Sequence, residues 1–462
     1  MQKIPVIAVF DIGKTNKKLL LFDEQYQLID EHSVRFDEIQ DEDGFPCENL
    51  DNLRLSVFDT LKTILARPDI EVRAINFATY GASFVYLDKH GAELTPLYNY
   101  LKPYPEDIKQ AFYHTHGEAQ QISLETASPE LGSLNSGMQL YRIKKQRPDI
   151  FNNIRYALHL PQYMSYILSG VFLTDITSIG CHTQLWDFKN NCYHNWVKRE
   201  GIVEKFAPLA NCKYTIRSSF SSLPFKVGIG VHDSSAALIP YLVSFREPFV
   251  LLSTGTWCIS LNPFNTEPLT VEELRKDCLC YFSFDGKPVK ASRLFAGYEH
   301  EQHLDRIADH FSQQTAKYKT MSFDPAIAVS LKRKERLGNS TVPKTKGFAF
   351  EGRDLNDFAN DTEAYHQLVM DIIAVQVQAT SLVVDKSRSV KRIFVDGGFS
   401  RNSIYMNLLA ASFPDMEVYA AAMAQASALG AALAIHSSWN EYAMPKDIIE
   451  LKFYAAEQVQ QS

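Results

Sequence analysis

The sequence predicts an α/β protein of two domains around a central cleft, and three observations carry that expectation. At 462 residues the chain exceeds what one hydrophobic core ordinarily organises, so division into domains of roughly 200 residues is expected. A strand–turn–strand pattern near the start returns about half a chain later. Between and after these units, apolar β-branched runs break at Gly-containing polar turns and give way to helical periodicity, as layered α/β folds require. Composition agrees: 45% hydrophobic and 22% charged residues can bury a core and argue against long disorder. The expected boundary divides the chain into domains 1–239 and 240–462.

Taken in order, residues 6–10 read as a buried strand that breaks at Asp11-Ile12-Gly13-Lys14-Thr15-Asn16-Lys17-Lys18 and returns over residues 19–22, a tight hairpin. A third strand is expected within 27–36, and a helix around 161–168. Residues 227–231 form a short Gly-containing strand, with His232 and Asp233 at its exit before a helix over 234–242 that carries a Ser cap. Residues 249–252, then Ser253-Thr254-Gly255-Thr256, then 257–261 repeat the first hairpin, so each domain presents one polar turn to a shared cleft. The stretch 305–345, with Lys332-Arg333-Lys334, reads as solvated helix and loop. Residues 365–384 are helical, and 392–395 form a strand that ends in Asp396-Gly397-Gly398-Phe399-Ser400-Arg401-Asn402. Helices are expected over 403–412 and, Ala-rich with Gly430 inside, over 420–434.

Charge and cysteine usage exclude several classes. A net charge of −7 gives no field to attract nucleic acid, so any phosphate site must be local. No signal-like leader and no membrane-length apolar run occur, so no membrane partner and a cytoplasmic chain are expected. Seven cysteines without repeated pairs read as reduced thiols; Cys278 and Cys280 form a C-x-C with no second pair or His nearby to complete a metal site.

The polar turns carry the chemistry. A carboxylate at a strand end, Asp11, can hold Mg²⁺, usually through water, while donors on the following turn hold phosphate oxygens. Thr254, Gly255 and Thr256 offer hydroxyls and close backbone approach from the other domain. Gly397 and Gly398 ahead of Asn402 form a strand–turn–helix against which a nucleotide can lie. No Walker loop and no dinucleotide fingerprint is present. Asp233, at a strand-to-helix turn, can accept the proton of an attacking hydroxyl.

Together these segments resemble the FGGY family of carbohydrate kinases. Residues 11–18 resemble its first phosphate motif, Val231-His232-Asp233 its base-bearing segment, and Leu252-Ser253-Thr254-Gly255-Thr256-Trp257 its second phosphate motif. Residues 396–402 resemble the adenosine segment and Gln425-Ala426-Ser427-Ala428-Leu429-Gly430 the helix near the C-terminus. The resemblance implies two ribonuclease-H-like domains of the actin and hexokinase superfold, with sugar held mainly by the first and ATP mainly by the second. It further implies Mg²⁺ near Asp11 and phosphates against Gly13, Lys14, Thr15, Asn16, Lys18, Thr254, Gly255 and Thr256. Adenine and ribose would lie near Gly397, Gly398, Ser400 and Asn402, with Asp233 as base.

Residues 79–88 and 96–100 are most similar to the sugar-binding region of L-rhamnulose kinases, which nominates Tyr80, Gly81, Asn99, Gln184, His232 and Asp233 for the small-molecule sugar. Two departures stand out: Lys14 replaces a small residue and Gln425 an acidic one. Lys14 is expected to add a cation beside the β/γ-phosphates. Kinases for L-fuculose, D-xylulose or another polyol remain alternatives, as does an ATP-gated binding protein of the actin or chaperone type; a homodimer is left open.

Overall fold

The computed structural model of the protein describes residues 3–14, 16–219, 225–336, 348–384, 390–423 and 425–455. Thr15 and the end of the 305–345 stretch therefore lie outside the described residues. Strand β1 (Ile4–Ile12) is followed by β2 (Lys17–Asp23), and the antiparallel register sets Asp11 opposite Lys18. β3 (Leu28–Val34) lies beyond β2, while β4 (Ile70–Thr79) runs parallel to β1 on its other side. With β5 (Thr215–Arg217), β6 (Lys226–Gly228) and β7 (Val231–His232) they form a sheet in the order β5–β6–β4–β1–β2–β3, β7 also pairing with β4.

Side chains alternate across β1, so both faces are apolar because both are covered. Val6, Ala8 and Phe10 pack with helices α1 (Leu50–Leu65) and α2 (Leu160–Ser169), whereas Ile7 and Val9 enter a core with Val231, Ala236 and Ala428. That second core already contains residues from far along the chain.

The second sheet uses β8 (Phe249–Thr254), β9 (Cys258–Asn262), β10 (Cys278–Phe282), β11 (Pro288–Leu294), β12 (Arg392–Gly397), β13 (Glu417–Ala422) and β14 (Glu450–Tyr454). Their order is β10–β11–β9–β8–β12–β13–β14, with β8–β9 antiparallel and β12 parallel to β8. Each sheet thus places its hairpin and a third antiparallel strand on one side and a parallel strand on the other. The expected pair of ribonuclease-H-like domains is the architecture observed.

Two helices join the lobes. In α3 (Asp233–Ser244), Ala236 and Ile239 enter the first-lobe core while Leu238 and Tyr241 enter the second with Phe249, Leu251 and Phe394. The expected boundary between 239 and 240 therefore falls inside one helix that belongs to both cores. Of the helices α4 (Ala296–His310), α5 (Asp361–Val383), α6 (Ser403–Ser412) and α7 (Ala426–Ala434), the last crosses back onto the first lobe. At the crossing a Cβ on Gly430 would sit 1.8 Å from the Ala236 carbonyl oxygen, so only glycine fits. Pro240 has no N–H to donate to that same carbonyl, and Gly430 closes over it.

Three local readings are corrected. The helix expected over 234–242 starts one residue earlier, at Asp233, and its N-cap His232 contributes no side-chain bond. Residues 227–231 are divided into two short strands at Ile229 and Gly230. In the Ala-rich run, Ala420, Ala421 and Ala422 belong to β13, because pairing with β12 and β14 outweighs alanine's helix preference; the helix begins at Ala426.

Candidate active site

Three carboxylates stand at or beside strand ends. Asp11 ends β1, Asp233 follows β7 and Asp396 lies near the end of β12. Burial pushes each up to about 6, and the Asp233 charge adds to the effect on Asp11. β1 and β7 flank β4, and Asp11 and Val231 both pair with Ala78, so the strand ends that carry Asp11 and Asp233 stand two strands apart at the same level of the sheet. Asp233 is walled by protein yet keeps 35% of its side-chain surface exposed, enough to meet a ligand. Asp11 Oδ2 accepts a hydrogen bond from Ser427 Oγ at 2.7 Å, a tie from α7 that the sequence did not announce. Asp11 is also partly exposed, leaving it suited to a hydrated Mg²⁺.

Around the first turn the lysines are already partnered. Gly13 N donates to Asn16 O at 2.9 Å and closes the turn. Lys14 Nζ lies 2.6 Å from Glu38 and 4.0 Å from Glu48, Lys17 forms a buried pair with Glu48 at 2.7 Å, and Lys18 pairs with Glu31 at 2.8 Å. Asn16 Oδ1 accepts from Arg35. Lys14, expected beside the β/γ-phosphates, is drawn here toward two carboxylates, Glu38 and Glu48.

The second turn is built otherwise. Thr254 Oγ1 donates to the Asp396 carbonyl and accepts from Phe399 N at 3.0 Å, so the hydroxyl expected to face phosphate instead locks β8 to the turn after β12. Gly397, at φ 86°, lies so close that a Cβ would be 1.9 Å from the Thr254 carbonyl. Gly255 N donates to Trp257 O, and the Thr256 side chain is exposed. Gly255, Thr256, Gly398 and Asn402, named separately from the sequence, line one cavity of about 600 Å³ with Gly297, His300, Glu301 and Tyr365. Such a volume suits a nucleotide-sized ligand. The Asn402 side chain caps α6 through Tyr405 N and donates to Tyr365 Oη, so it holds the cavity wall. Gly397 and Ser400 border a second cavity, beside Arg401 and β13, and Ser400 Oγ donates to Gly397 O. Gly297 and His300 of α4 and Tyr365 of α5 were not foreseen as cavity residues, because neither helix carries a motif.

On the first-lobe side, Gly81 lies against the His232 ring and Tyr80 meets Tyr100 edge-on at 5.8 Å. Tyr80 directly precedes Gly81, so its contact with Tyr100 brings both tyrosines to this corner. His232 Nε2 lies 3.2 Å from Asp233 Oδ1, and burial lowers the imidazole to about 3, holding it neutral. Asn99 and Gln184 are placed differently. Asn99 accepts from Leu101 N and borders a small cleft with Glu42, Tyr98, Lys102 and Gln139. Gln184 is 1% exposed and its amide is engaged with Tyr113 and the Pro129 carbonyl.

Two family models cover the chain in tandem: the N-terminal domain of the FGGY family of carbohydrate kinases over residues 6–207, and the carbohydrate kinase FGGY C-terminal domain over 246–443. The chain belongs to the FGGY family of carbohydrate kinases. Among this FGGY chain's relatives, a rhamnulokinase from Halalkalibacterium halodurans is 28% identical over 276 residues, 56% of either chain. The chain thus spans a little over half the length of that curated relative. A carbohydrate kinase structure from Novosphingobium aromaticivorans is 25% identical, with TM-score 0.79 over 97% of this chain and 96% of that one. A ligand-bound xylulose kinase structure from Lactobacillus acidophilus shares the fold at 17% identity, with TM-score 0.80 over 98% and 94%.

Proposed function

We propose that this FGGY chain transfers the γ-phosphoryl group of MgATP to a hydroxyl of a small ketose, with L-rhamnulose the first candidate. The observation that carries the reading is the pair of partly exposed carboxylates Asp11 and Asp233, at strand ends that flank β4 at one level, one tied to α7 through Ser427 and the other opening α3, the two helices that join the lobes. Rhamnulokinase relatives and the 79–88 segment favour the ketose class.

In this reading Asp233 accepts the proton of the attacking hydroxyl as its oxygen bonds the γ-phosphorus, and the bond to the bridging oxygen breaks to release ADP. The proton then passes to solvent. A carboxylate raised to about 6 is ionised at neutral pH yet basic enough to assist transfer. Asp11 holds the Mg²⁺ that accompanies ATP, Gly13, Asn16, Gly255 and Thr256 border the phosphates, and the 600 Å³ cavity at Gly398 and Asn402 takes adenosine. Tyr80, Gly81 and His232 form the sugar side. Closing the lobes on both ligands excludes water, the rival nucleophile. A cytoplasmic setting, where MgATP is supplied, belongs to the same reading; among the described residues no helix is long and apolar enough to cross a membrane.

The test is ADP release by the purified chain across ketoses, aldoses and polyols. Sugar-dependent release is expected, falling on the order of a hundredfold or more in Asp233→Ala. ADP formation at one rate with and without every sugar would favour an ATP-gated binding protein and end the kinase reading.

A further inference from the structure

The corner behind Asp233 carries a second set of donor atoms, of which only His232 has a place in the proposed reaction, on the sugar side. Cys181, His182 and His232 are buried, and each offers one ligand atom, the three lying within 4.8 Å of one another. Cys181 and His182 sit in the loop after the short helix Ile176–Ile179, and His232 ends β7. Cys181 Sγ lies 3.0 Å from His232 Nε2, and the two imidazoles stand at 85° with centroids 6.4 Å apart. Tetrahedral Zn²⁺, with bonds of about 2.3 Å to sulfur and about 2.0 Å to nitrogen, sets its donors roughly 3.5 Å apart. The cluster is within small side-chain shifts of that spacing.

The surroundings prepare the ligands. His182 Nδ1 lies 3.1 Å from the Leu134 carbonyl, which can only accept, so Nδ1 carries the hydrogen and Nε2 keeps its lone pair. An imidazole whose other nitrogen is tied to a carbonyl is the usual arrangement around bound zinc. Asn135 Nδ2 donates to the His182 carbonyl at 2.7 Å and Gly137 N to the Thr183 carbonyl at 3.0 Å, holding the loop. His182 itself adopts φ 40°, a conformation that a non-glycine residue keeps only when its surroundings impose it. His232 Nδ1 is buried without a hydrogen-bond partner. Burial keeps the Cys181 thiol protonated, so a cation that binds must displace that proton to solvent as the sulfur–metal bond forms.

We propose that Cys181, His182 and His232 form a three-donor site for a borderline-soft divalent cation of the Zn²⁺ class, and that filling it silences Asp233. One thiolate with two imidazoles selects such an ion over Mg²⁺, which prefers oxygen donors, so the site does not compete for the metal carried by ATP. Asp233 Oδ1, 3.2 Å from His232 Nε2, becomes a further donor to a cation held there and is lost as a base. The silencing half rests on the reading of Asp233 as base; the metal site does not.

The experiment uses the full chain, stripped by a chelator, with Co²⁺ as spectroscopic probe and Zn²⁺ affinity measured by competition with a chromophoric chelator. Stoichiometric Co²⁺ is expected to produce a thiolate charge-transfer band that disappears in Cys181→Ser and Cys181→Ala. In His182→Asn, Zn²⁺ affinity is expected to drop at least about tenfold. With Mg²⁺ in excess, Zn²⁺ should abolish sugar-dependent ADP release reversibly in the parent chain, while Cys181→Ser remains active in its presence. Thermal unfolding identifies which of the two cysteine variants is folded and usable. Absence of the band, or equal Zn²⁺ affinity in the folded cysteine variant, overturns the site. Zn²⁺ binding with undiminished ADP release overturns the silencing. Should no sugar support ADP release, the kinase reading fails while the Co²⁺ band still decides the site.

Discussion

The turns after β1 and β8 occupy equivalent places in sheets of equivalent strand order, yet they are held in different ways. The first is fixed by ion pairs: Lys14 with Glu38, Lys17 with Glu48 and Lys18 with Glu31. The second is fixed by one hydroxyl, Thr254, that ties β8 to the turn after β12. Duplication of a fold therefore does not duplicate the chemistry of its turns. In the first, the cations are balanced by protein carboxylates while Asp11, held by Ser427, stays partly exposed. In the second, the side chain serves the scaffold while the exposed Thr256 and the turn backbone face outward.

The contrast breaks most sharply at Asp11. Asp11→Asn keeps the shape and the Ser427 contact but removes the charge, and kcat/KM for MgATP is expected to fall about a hundredfold or more, since one preorganised electrostatic group is commonly worth that much. Steady-state ADP release at varied MgATP measures it; a loss under tenfold would move the metal site elsewhere.

Acidification gives the next largest effect. Burial raises Asp11 and Asp233 to about 6, so ADP release should decline as pH falls through that value and the base takes up its proton. Stability moves the other way. Because the folded-state values exceed the unfolded-state value, the folded chain binds these protons more tightly; that contribution is complete below about 4 and is lost as pH rises through about 6. The neighbouring His232, lowered to about 3, is already neutral across this window, so the decline belongs to the carboxylates. An activity profile flat between pH 5 and 7 would contradict it.

Thr254→Val tests the second turn through stability. It leaves Phe399 N without its acceptor, and chemical denaturation should register a loss of about 1–3 kcal/mol. Thr254→Ser retains the hydroxyl and should recover most of it. The smallest effect is expected for Lys14→Thr: its partner Glu38 is exposed, so stability should change by under about 1 kcal/mol and ATP affinity not at all. A marked rise in KM for ATP in that variant would return Lys14 to the phosphates.

Both turns, and Asp233 at its strand exit, were legible in the sequence because each is written in consecutive residues: an apolar run, a polar break, a glycine. What escaped depends on residues far apart. Ser427 meets Asp11 across 416 positions, and Thr254 meets Phe399 across 145. Alanines 420–422 have the composition of a helix, but their state is set by flanking strands that composition does not reveal. Gln184 stands two residues from His182, yet a left-handed backbone at φ 60° sends its amide to Tyr113 rather than toward His232. Likewise Cys181 and His182 acquire meaning only once β7 brings His232 beside them.

The return of α7 to the first lobe sets an order of events during synthesis. Ile7, Val9, Leu20 and Ala74 share a core with Ala428, Ala431 and Ala432, so this face of the first sheet is only partly covered, by Val231, Ala236 and Ile239, until α7 has been made. At a translation rate of about 5–20 residues per second, the stretch between α3 and α7 takes roughly ten to forty seconds to emerge. For that interval the nascent first lobe shows apolar surface and an Asp11 that still lacks Ser427, a window in which a chaperone has something to hold.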